Sequence, residues 1–244
     1  MATEASNGGG TKRTGSRFQD RVAMVTGASG GIGRAVCEAF AAEGARVIAL
    51  GRDRERLNET VAACRAAASA LSVDFQDVDT LRATVGSAIE DAGSIDVLVN
   101  CAGIVHIEPV LEIADATWRE TLDVNLTGTF VVSQEAARWM VRARRGAIVN
   151  IASVDAFTAE SPQTHYNTSK AAILMLTRCF AYELGHLGVR TNCVAPGFTT
   201  TAMTADEGED EIYRAYMRRI PARRPAHPSE QANVILFLAS DEAS

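Results

Sequence analysis

Tyr166 and Lys170 stand four residues apart in Tyr166-Asn167-Thr168-Ser169-Lys170, at the start of a strongly helical run. That spacing puts two side chains one above the other on a helix face and can hold an ammonium beneath a phenol. A free phenol titrates near about pH 10 and is a poor base at neutrality. A fixed positive charge beside it favours the phenolate, lowers the pKa and makes an acid–base group. The same spacing also occurs in ordinary surface pairs. What decides between the two readings is whether the rest of the chain supplies a cofactor.

A glycine-rich run answers that question. Val22 to Thr26 reads as a strand and Gly31 to Glu43 as a helix, joined by Gly27-Ala28-Ser29-Gly30 and continuing Gly31-Ile32-Gly33. Glycines tighten such a turn and let the backbone approach a pyrophosphate, while the helix N-terminus offers N–H groups and its positive dipole end. The strand–turn–helix context is the one that dinucleotide binding requires. The expected contacts here are Gly27, Ser29, Gly31, Ile32 and Gly33. The second strand ends Ala49-Leu50-Gly51-Arg52-Asp53. Gly51 stands where an acid would hold a ribose 2′-hydroxyl, and the Arg52 guanidinium suits a 2′-phosphate. NADP(H) is therefore expected over NAD(H). Asp53 argues the other way unless it caps the next helix, and no basic residue occupies position 30 to reinforce Arg52.

Short apolar runs alternate with amphipathic ones along the chain. Strands are expected at Val22–Thr26, Arg46–Leu50, Ala70–Val73, Val97–Asn100, Ala147–Ile151 and Thr191–Val194. Helices are expected at Gly31–Glu43, Arg54–Ala66, Thr80–Asp91 and Ala116–Ala143, and over the run holding Tyr166 and Lys170. Nearly all-apolar strands imply a parallel sheet covered on both faces. Six alternations without a composition break imply one doubly wound α/β domain, over 18–244. Residues 1–17 are small and polar and read as a disordered tail. The stretch 198–225 breaks the rhythm, with acids from Asp206 to Glu211 and then Arg218, Arg219, Arg223 and Arg224. It is read as a lid over the ligand side of the sheet, or else as a solvated helix pair.

The 244 residues carry a net charge of −6 and 47% apolar residues, which argues against nucleic acid and anionic membrane as partners. No apolar run reaches membrane-spanning length. The odd number of scattered cysteines (Cys37, Cys64, Cys101, Cys179, Cys193) and the scattered histidines suggest a reduced cytoplasmic protein without a metal site.

With these residues in view, the chain resembles the short-chain dehydrogenase/reductase family, whose fold is a Rossmann domain. The resemblance runs from about Phe18 to the C-terminus and rests on Thr26–Gly33, Asn100-Cys101-Ala102-Gly103, Asn125, Ser153, Tyr166 with Lys170, and Pro196-Gly197. Within the family, the second-strand ending and Asn125-Leu126-Thr127-Gly128 look like those of 3-oxoacyl-carrier-protein reductases and related sugar, steroid or polyketide reductases. The resemblance implies hydride transfer between NADP(H) and a ketone or secondary alcohol. Tyr166 would be the proton donor or acceptor, and Lys170 would tune it and bond the nicotinamide ribose. Ser153 would hold the substrate oxygen. Asn125 would distort its helix and position a water in a proton relay. It also implies that Asp74, Asn100, Ala102 and Gly103 line the adenosine side and that Ile151, Pro196, Gly197 and Thr199 flank the nicotinamide. Thr201 would touch the phosphates. Cys101 replaces a second asparagine common in that motif.

Asp155, Glu160 and Gln163 lie between Ser153 and Tyr166. They are either donors and acceptors for a polar substrate such as a polyol or sugar, with Asp155 and Gln163 foremost, or solvated loop residues. His165 is expected as pocket wall. Arg138, Arg142, Arg144 and Arg145 could dock an acidic carrier protein bearing the substrate, or simply end a helix. Apolar positions on two helices (Phe130, Val131, Trp139, Met140; Leu174, Leu176, Phe180) suggest a homodimer or homotetramer. The sequence stops at Leu238-Ala239-Ser240-Asp241-Glu242-Ala243-Ser244, wording that in the family leads into a seventh, edge strand. That strand is expected to be missing, through truncation of the sequence or a shortened protein. Its absence would expose the sixth strand and weaken a pocket wall and an oligomer interface. The alternative to an enzyme is a nucleotide-binding regulator that kept the fold and lost catalysis.

Overall fold

The computed structural model describes residues 16–204 and 211–244. Six strands form one sheet in the order β3-β2-β1-β4-β5-β6, and every pairing is parallel. They are β1 (Val22–Thr26), β2 (Arg46–Gly51), β3 (Ala68–Ser72), β4 (Val97–Asn100), β5 (Gly146–Ile151) and β6 (Val189–Val194). Alternate side chains feed two cores. In β1, Ala23 and Val25 face α1 (Gly31–Ala42), α2 (Arg54–Ala63) and α8 (Pro228–Ala239) with Phe40, Leu57 and Ile235. Val22 and Met24 face α3 (Val78–Ala92) and α5 (Gly128–Ala143) with Leu81, Val85, Val132 and Met140. Burial on both faces is why these strands are apolar throughout.

Three departures from the sequence expectation have local causes. The helix expected over Ala116–Ala143 is α4 (Asp115–Leu122), a wide π-helical turn over Asp123–Thr127, and then α5. The turn centres on Asn125, whose amide is clamped to the backbone of Ile104. Second, α2 stops at Ala63 because Arg65 adopts φ 57°. This lets β3 start at Ala68, where it pairs with Val47. Third, α8 follows β6 behind a capping box in which His227 and Glu230 exchange backbone bonds around Pro228.

The stretch 198–225 is pinned at its base. Thr200 N–H donates to the Ala226 carbonyl at 3.0 Å and Ala226 N–H to the Phe198 carbonyl at 2.9 Å. It contains α7 (Glu211–Arg219), and its residues 205–210 lie outside the described residues. So do residues 1–15 of the expected tail, whereas Arg17 pairs with Glu43 at 2.9 Å. Among the described residues β3 and β6 are the sheet edges.

Candidate active site

Strand order reverses between β1 and β4, and ligands of open α/β sheets bind in the crevice above such a switch point. The β1–α1 turn is packed into this crevice. Gly27 has φ +65°, and a Cβ there would lie 2.7 Å from the Ala102 nitrogen. Ala102 N–H in turn donates to Thr26 Oγ1 at 3.1 Å. A Cβ on Gly33 would overlap the Gly27 carbonyl. No side chain caps the N-terminus of α1, and its first turn carries no acid. Its first N–H groups and positive dipole end are left for an anion. The cradle therefore fits a dinucleotide pyrophosphate. Thr201 closes it from above, its methyl 3.2 Å from where a Gly31 Cβ would be. Gly33→Ala is expected to weaken dinucleotide binding at least about tenfold and to destabilise the fold by about 1–3 kcal/mol. Fluorescence titration with the dinucleotide and a thermal melt would check both.

The adenosine end is set by β2 and α2. A Cβ on Gly51 would overlap Ser29 Oγ, so an acidic side chain cannot stand there without displacing that serine. Asp53 caps α2, accepting from Arg56 N–H at 3.0 Å. Its carboxylate is thereby committed to the helix. One residue escaped the sequence reading. The Arg56 guanidinium reaches over Gly30, close enough that a Cβ on Gly30 would overlap it. Arg56 thus brings a basic group to the Gly30 turn from α2. Its only signal in the sequence was that an arginine stands in the first turn of the helix after the second strand. Asp74 follows β3, exposed, with its carboxylate accepting from Gln76 N–H at 3.0 Å. Asn100 is turned away from the crevice. Its amide donates to Ser133 Oγ at 2.9 Å and Asn150 Oδ1 at 2.8 Å, so any part it takes in the groove is through its backbone.

On the other side of the switch point, β5, α6 (Thr164–Leu184) and the π turn bring the acid–base residues together. Lys170 is buried and its ammonium donates to the Ile151 carbonyl at 2.9 Å. A Cβ on Gly103 would lie 3.4 Å from both Lys170 Nζ and Asn125 Oδ1, so the glycine leaves room for these two groups. Asn125 Oδ1 accepts from Ile104 N–H at 2.8 Å. Its Nδ2 donates to the Ile104 carbonyl at 2.9 Å and to Ser169 Oγ at 3.0 Å. The three bonds tie the β4 loop, the π turn and α6 into one unit. Beyond β6, the Pro196 carbonyl accepts from Val154 N–H at 3.0 Å, and Gly197 is exposed beside Val154. Thr199 Oγ1 donates to the Gly197 carbonyl at 3.0 Å.

The Tyr166–Lys170 pair is present, but its electrostatics differ from expectation. Lys170 Nζ lies 5.6 Å from the Tyr166 ring centre, with its hydrogen bond going to Ile151. Burial pushes the phenol up to about 12, and Asp155 and Tyr216 add to the rise while Ser153 opposes it. Burial also pulls the Lys170 ammonium down to about 8. In the protein itself desolvation sets the direction of both shifts.

Ser153, Asp155 and Gln163 form one polar cluster next to Tyr166. Ser153 Oγ donates to Asp155 Oδ2 at 3.1 Å and accepts from Asp155 N–H at 3.2 Å. Gln163 Nε2 donates to the same Oδ2 at 3.3 Å. Burial, with Glu160 nearby, raises the Asp155 carboxyl above its usual range, and the Ser153 bond opposes the rise. Glu160 itself pairs with Arg219 of α7 at 3.5 Å. His165 is fully buried rather than a pocket wall, and its Nδ1 accepts from Tyr166 N–H at 3.0 Å.

One surface expectation is corrected. Val131 and Met140 belong to the core, not to an outer face. Phe130, Met175 and Tyr182 are the large apolar groups exposed on α5 and α6. The arginines at the end of α5 are engaged within the chain. Arg138 pairs with Glu135, Arg145 with Asp96, and Arg144 bonds the His186 carbonyl, while Arg142 covers the Trp139 ring. Arg144 and Arg145 also precede β5, whose six residues separate them from Ser153 by about 20 Å.

An open parallel sheet with a glycine cradle, Ser153, Tyr166 and Lys170 at one edge defines a dinucleotide-dependent oxidoreductase site. The family model described as short chain dehydrogenase matches residues 21–212, and the chain belongs to that family. It is 40% identical to the 3-oxoacyl-[acyl-carrier-protein] reductase FabG of Aquifex aeolicus, over 93% of each chain. It is 40% identical to a galactitol 2-dehydrogenase (L-tagatose-forming) of Cereibacter sphaeroides, covering 95% of this chain and 92% of that one. A solved candidate NAD(P)-dependent gluconate 5-dehydrogenase from Beutenbergia cavernae, with NADP bound at low occupancy, superposes with a TM-score of 0.87. It is 38% identical, with 93% of this chain and 92% of that one covered. Among the described residues no helix is long and apolar enough to cross a membrane.

Proposed function

We propose that this protein is an NADP(H)-dependent oxidoreductase that interconverts a ketone and a secondary alcohol, with Tyr166 as the acid–base group. The observation that carries the reading is the convergence of Ser153, Tyr166 and Lys170 on the ligand edge of the sheet, beside the cradle at Gly27 and Gly33. A reduced nicotinamide would supply the hydride. Tyr166 would give its phenolic proton to the carbonyl oxygen, and Ser153 would hold that oxygen. Lys170 and Asn125 would keep the floor of the site polar and fixed. Gly27, Ser29, Gly31, Ile32, Gly33 and Thr201 would cradle the pyrophosphate, with Asp74, Asn100, Ala102 and Gly103 along the adenosine side. Ile151, Pro196, Gly197 and Thr199 would border the nicotinamide. The stretch 198–225 would act as the lid, since Tyr216 of α7 acts on the Tyr166 phenol.

Arg52, which follows β2 directly, and Arg56, whose guanidinium lies over Gly30, support NADP(H), because guanidiniums suit a 2′-phosphate better than a bare hydroxyl does. The substrate is read as a small molecule, since the α5 arginines are engaged within the chain and Arg144 and Arg145 lie at the other end of β5 from Ser153. A cytoplasmic homodimer or homotetramer, assembled through Phe130, Met175 and Tyr182, completes the reading. Steady-state oxidation of NADPH against a panel of ketones, repeated with NADH, tests it. Arg52→Ala combined with Arg56→Ala is expected to raise the KM for NADPH by about tenfold or more while leaving that for NADH nearly unchanged. No turnover with any ketone despite tight NADPH binding would instead indicate a regulator.

A further inference from the structure

We infer that the preferred substrate carries a hydroxyl on the carbon next to the reacting one: an α-hydroxy ketone in reduction, a vicinal diol in oxidation. The inference rests on the oxidoreductase reading and names the substrate class of that same site. It starts from a conflict inside the Ser153–Asp155–Gln163 cluster. A serine hydroxyl has one hydrogen. At Ser153 it is donated to Asp155 Oδ2. While it stays there, Ser153 cannot donate to a substrate carbonyl.

A plain ketone offers only acceptors. To take the Ser153 hydrogen it must strip Asp155 of a donor. Among the described residues Asp155 has no ion pair, and the charge acting on it is the like-charged Glu160. Gln163 would be its remaining side-chain donor. Leaving a half-buried carboxylate short of a hydrogen bond is costly. A hydroxyl on the adjacent carbon removes that cost. The carbonyl oxygen accepts from Ser153 while the hydroxyl donates to Asp155 Oδ2. Two oxygens on neighbouring carbons thus replace the one bond now joining Ser153 Oγ and Asp155 Oδ2, 3.1 Å apart. Asp155 is then a specificity-determining residue. The same carboxylate, with Glu160 behind it, rejects substrates that carry an anionic group at that carbon.

The test compares 1-hydroxy-2-butanone with 1-methoxy-2-butanone under NADPH, and under NADH should NADPH give no turnover. The two substituents withdraw electrons similarly, and only the hydroxyl donates a hydrogen bond. The wild type is expected to favour the hydroxy ketone in kcat/KM by at least about tenfold. Asp155→Ala is expected to collapse that ratio to near one. A wild-type ratio near one overturns the inference without requiring any variant to fold, as does a ratio that survives in Asp155→Ala. Reduction of both ketones without preference would leave the oxidoreductase reading intact. Reduction of neither would overturn the inference, while the oxidoreductase reading is decided by the wider ketone panel.

Discussion

Tyr166→Phe is expected to cut kcat/KM for ketone reduction by about 10²–10⁴-fold, the usual contribution of a positioned acid–base group. The substitution removes one oxygen. The ring keeps its place, because Tyr166 N–H still donates to His165 Nδ1 and α6 is unchanged. Dinucleotide affinity and melting temperature should therefore stay close to wild type. The pH dependence follows from the raised phenol. With a pKa of about 12 the tyrosine is protonated across the working range. Reduction needs the protonated form, so it should be flat with pH as far as Tyr166 is concerned. Oxidation needs the phenolate, whose fraction at pH 8 is about 10⁻⁴ and grows tenfold per pH unit. Alcohol oxidation should therefore climb with pH between 7 and 10, and the Phe variant should lose the climb. Steady-state rates in both directions for the two proteins check this. Equal rates in wild type and variant would reject Tyr166 as the acid.

What could be read from the sequence depended on whether one element or several decided the outcome. The bounds of β1 and β4 follow directly from the apolar runs Val22–Val25 and Val97–Val99, each closed by one polar residue, because both faces are buried. The π turn at Asp123–Thr127 could not be read from periodicity, since its cause is a bond from Asn125 to Ile104 in another part of the chain. Only the family resemblance signalled a distortion there. The apolar stripe of α5 was equally ambiguous. Spacing alone does not say that Met140 points into the core while Phe130 points out. Arg56 belongs to the same class of miss, because its reach over Gly30 depends on how α2 packs beside β1 and β2. The direction of the Tyr166 shift turned on burial, which spacing along a helix does not report. Lys170 sits 5.6 Å from the ring centre with its ammonium on the Ile151 carbonyl, and burial decides the phenol's pKa.

Lys170→Met should separate function from stability. Turnover is expected to fall by at least about 100-fold, as the buried charge beside the acid–base group is lost. Stability at pH 7 is expected to rise. The Lys170 pKa falls from 10.5 to about 8 on folding, so the folded state holds the charge reluctantly. Below pH 8 both states bind the proton, and the folded state carries the full desolvation cost. Between pH 8 and 10.5 the unfolded chain binds more protons than the folded one, so wild-type stability rises with pH through that window. The gap corresponds to about 3 kcal/mol. A methionine fills the space without charge but leaves the Ile151 carbonyl without its donor, a loss of about 1 kcal/mol. The net gain at pH 7 is then about 2 kcal/mol, or a melting temperature roughly 4–8 °C higher. Above pH 10.5 the advantage should vanish, because the wild-type lysine is neutral in both states. Thermal melts of the two proteins from pH 7 to 11 would show curves that converge as pH rises and then cross, the variant falling about 1 kcal/mol below wild type once only the lost Ile151 bond remains. Parallel curves, or a variant that melts below wild type at pH 7, would mean that Lys170 is not held at a stability cost.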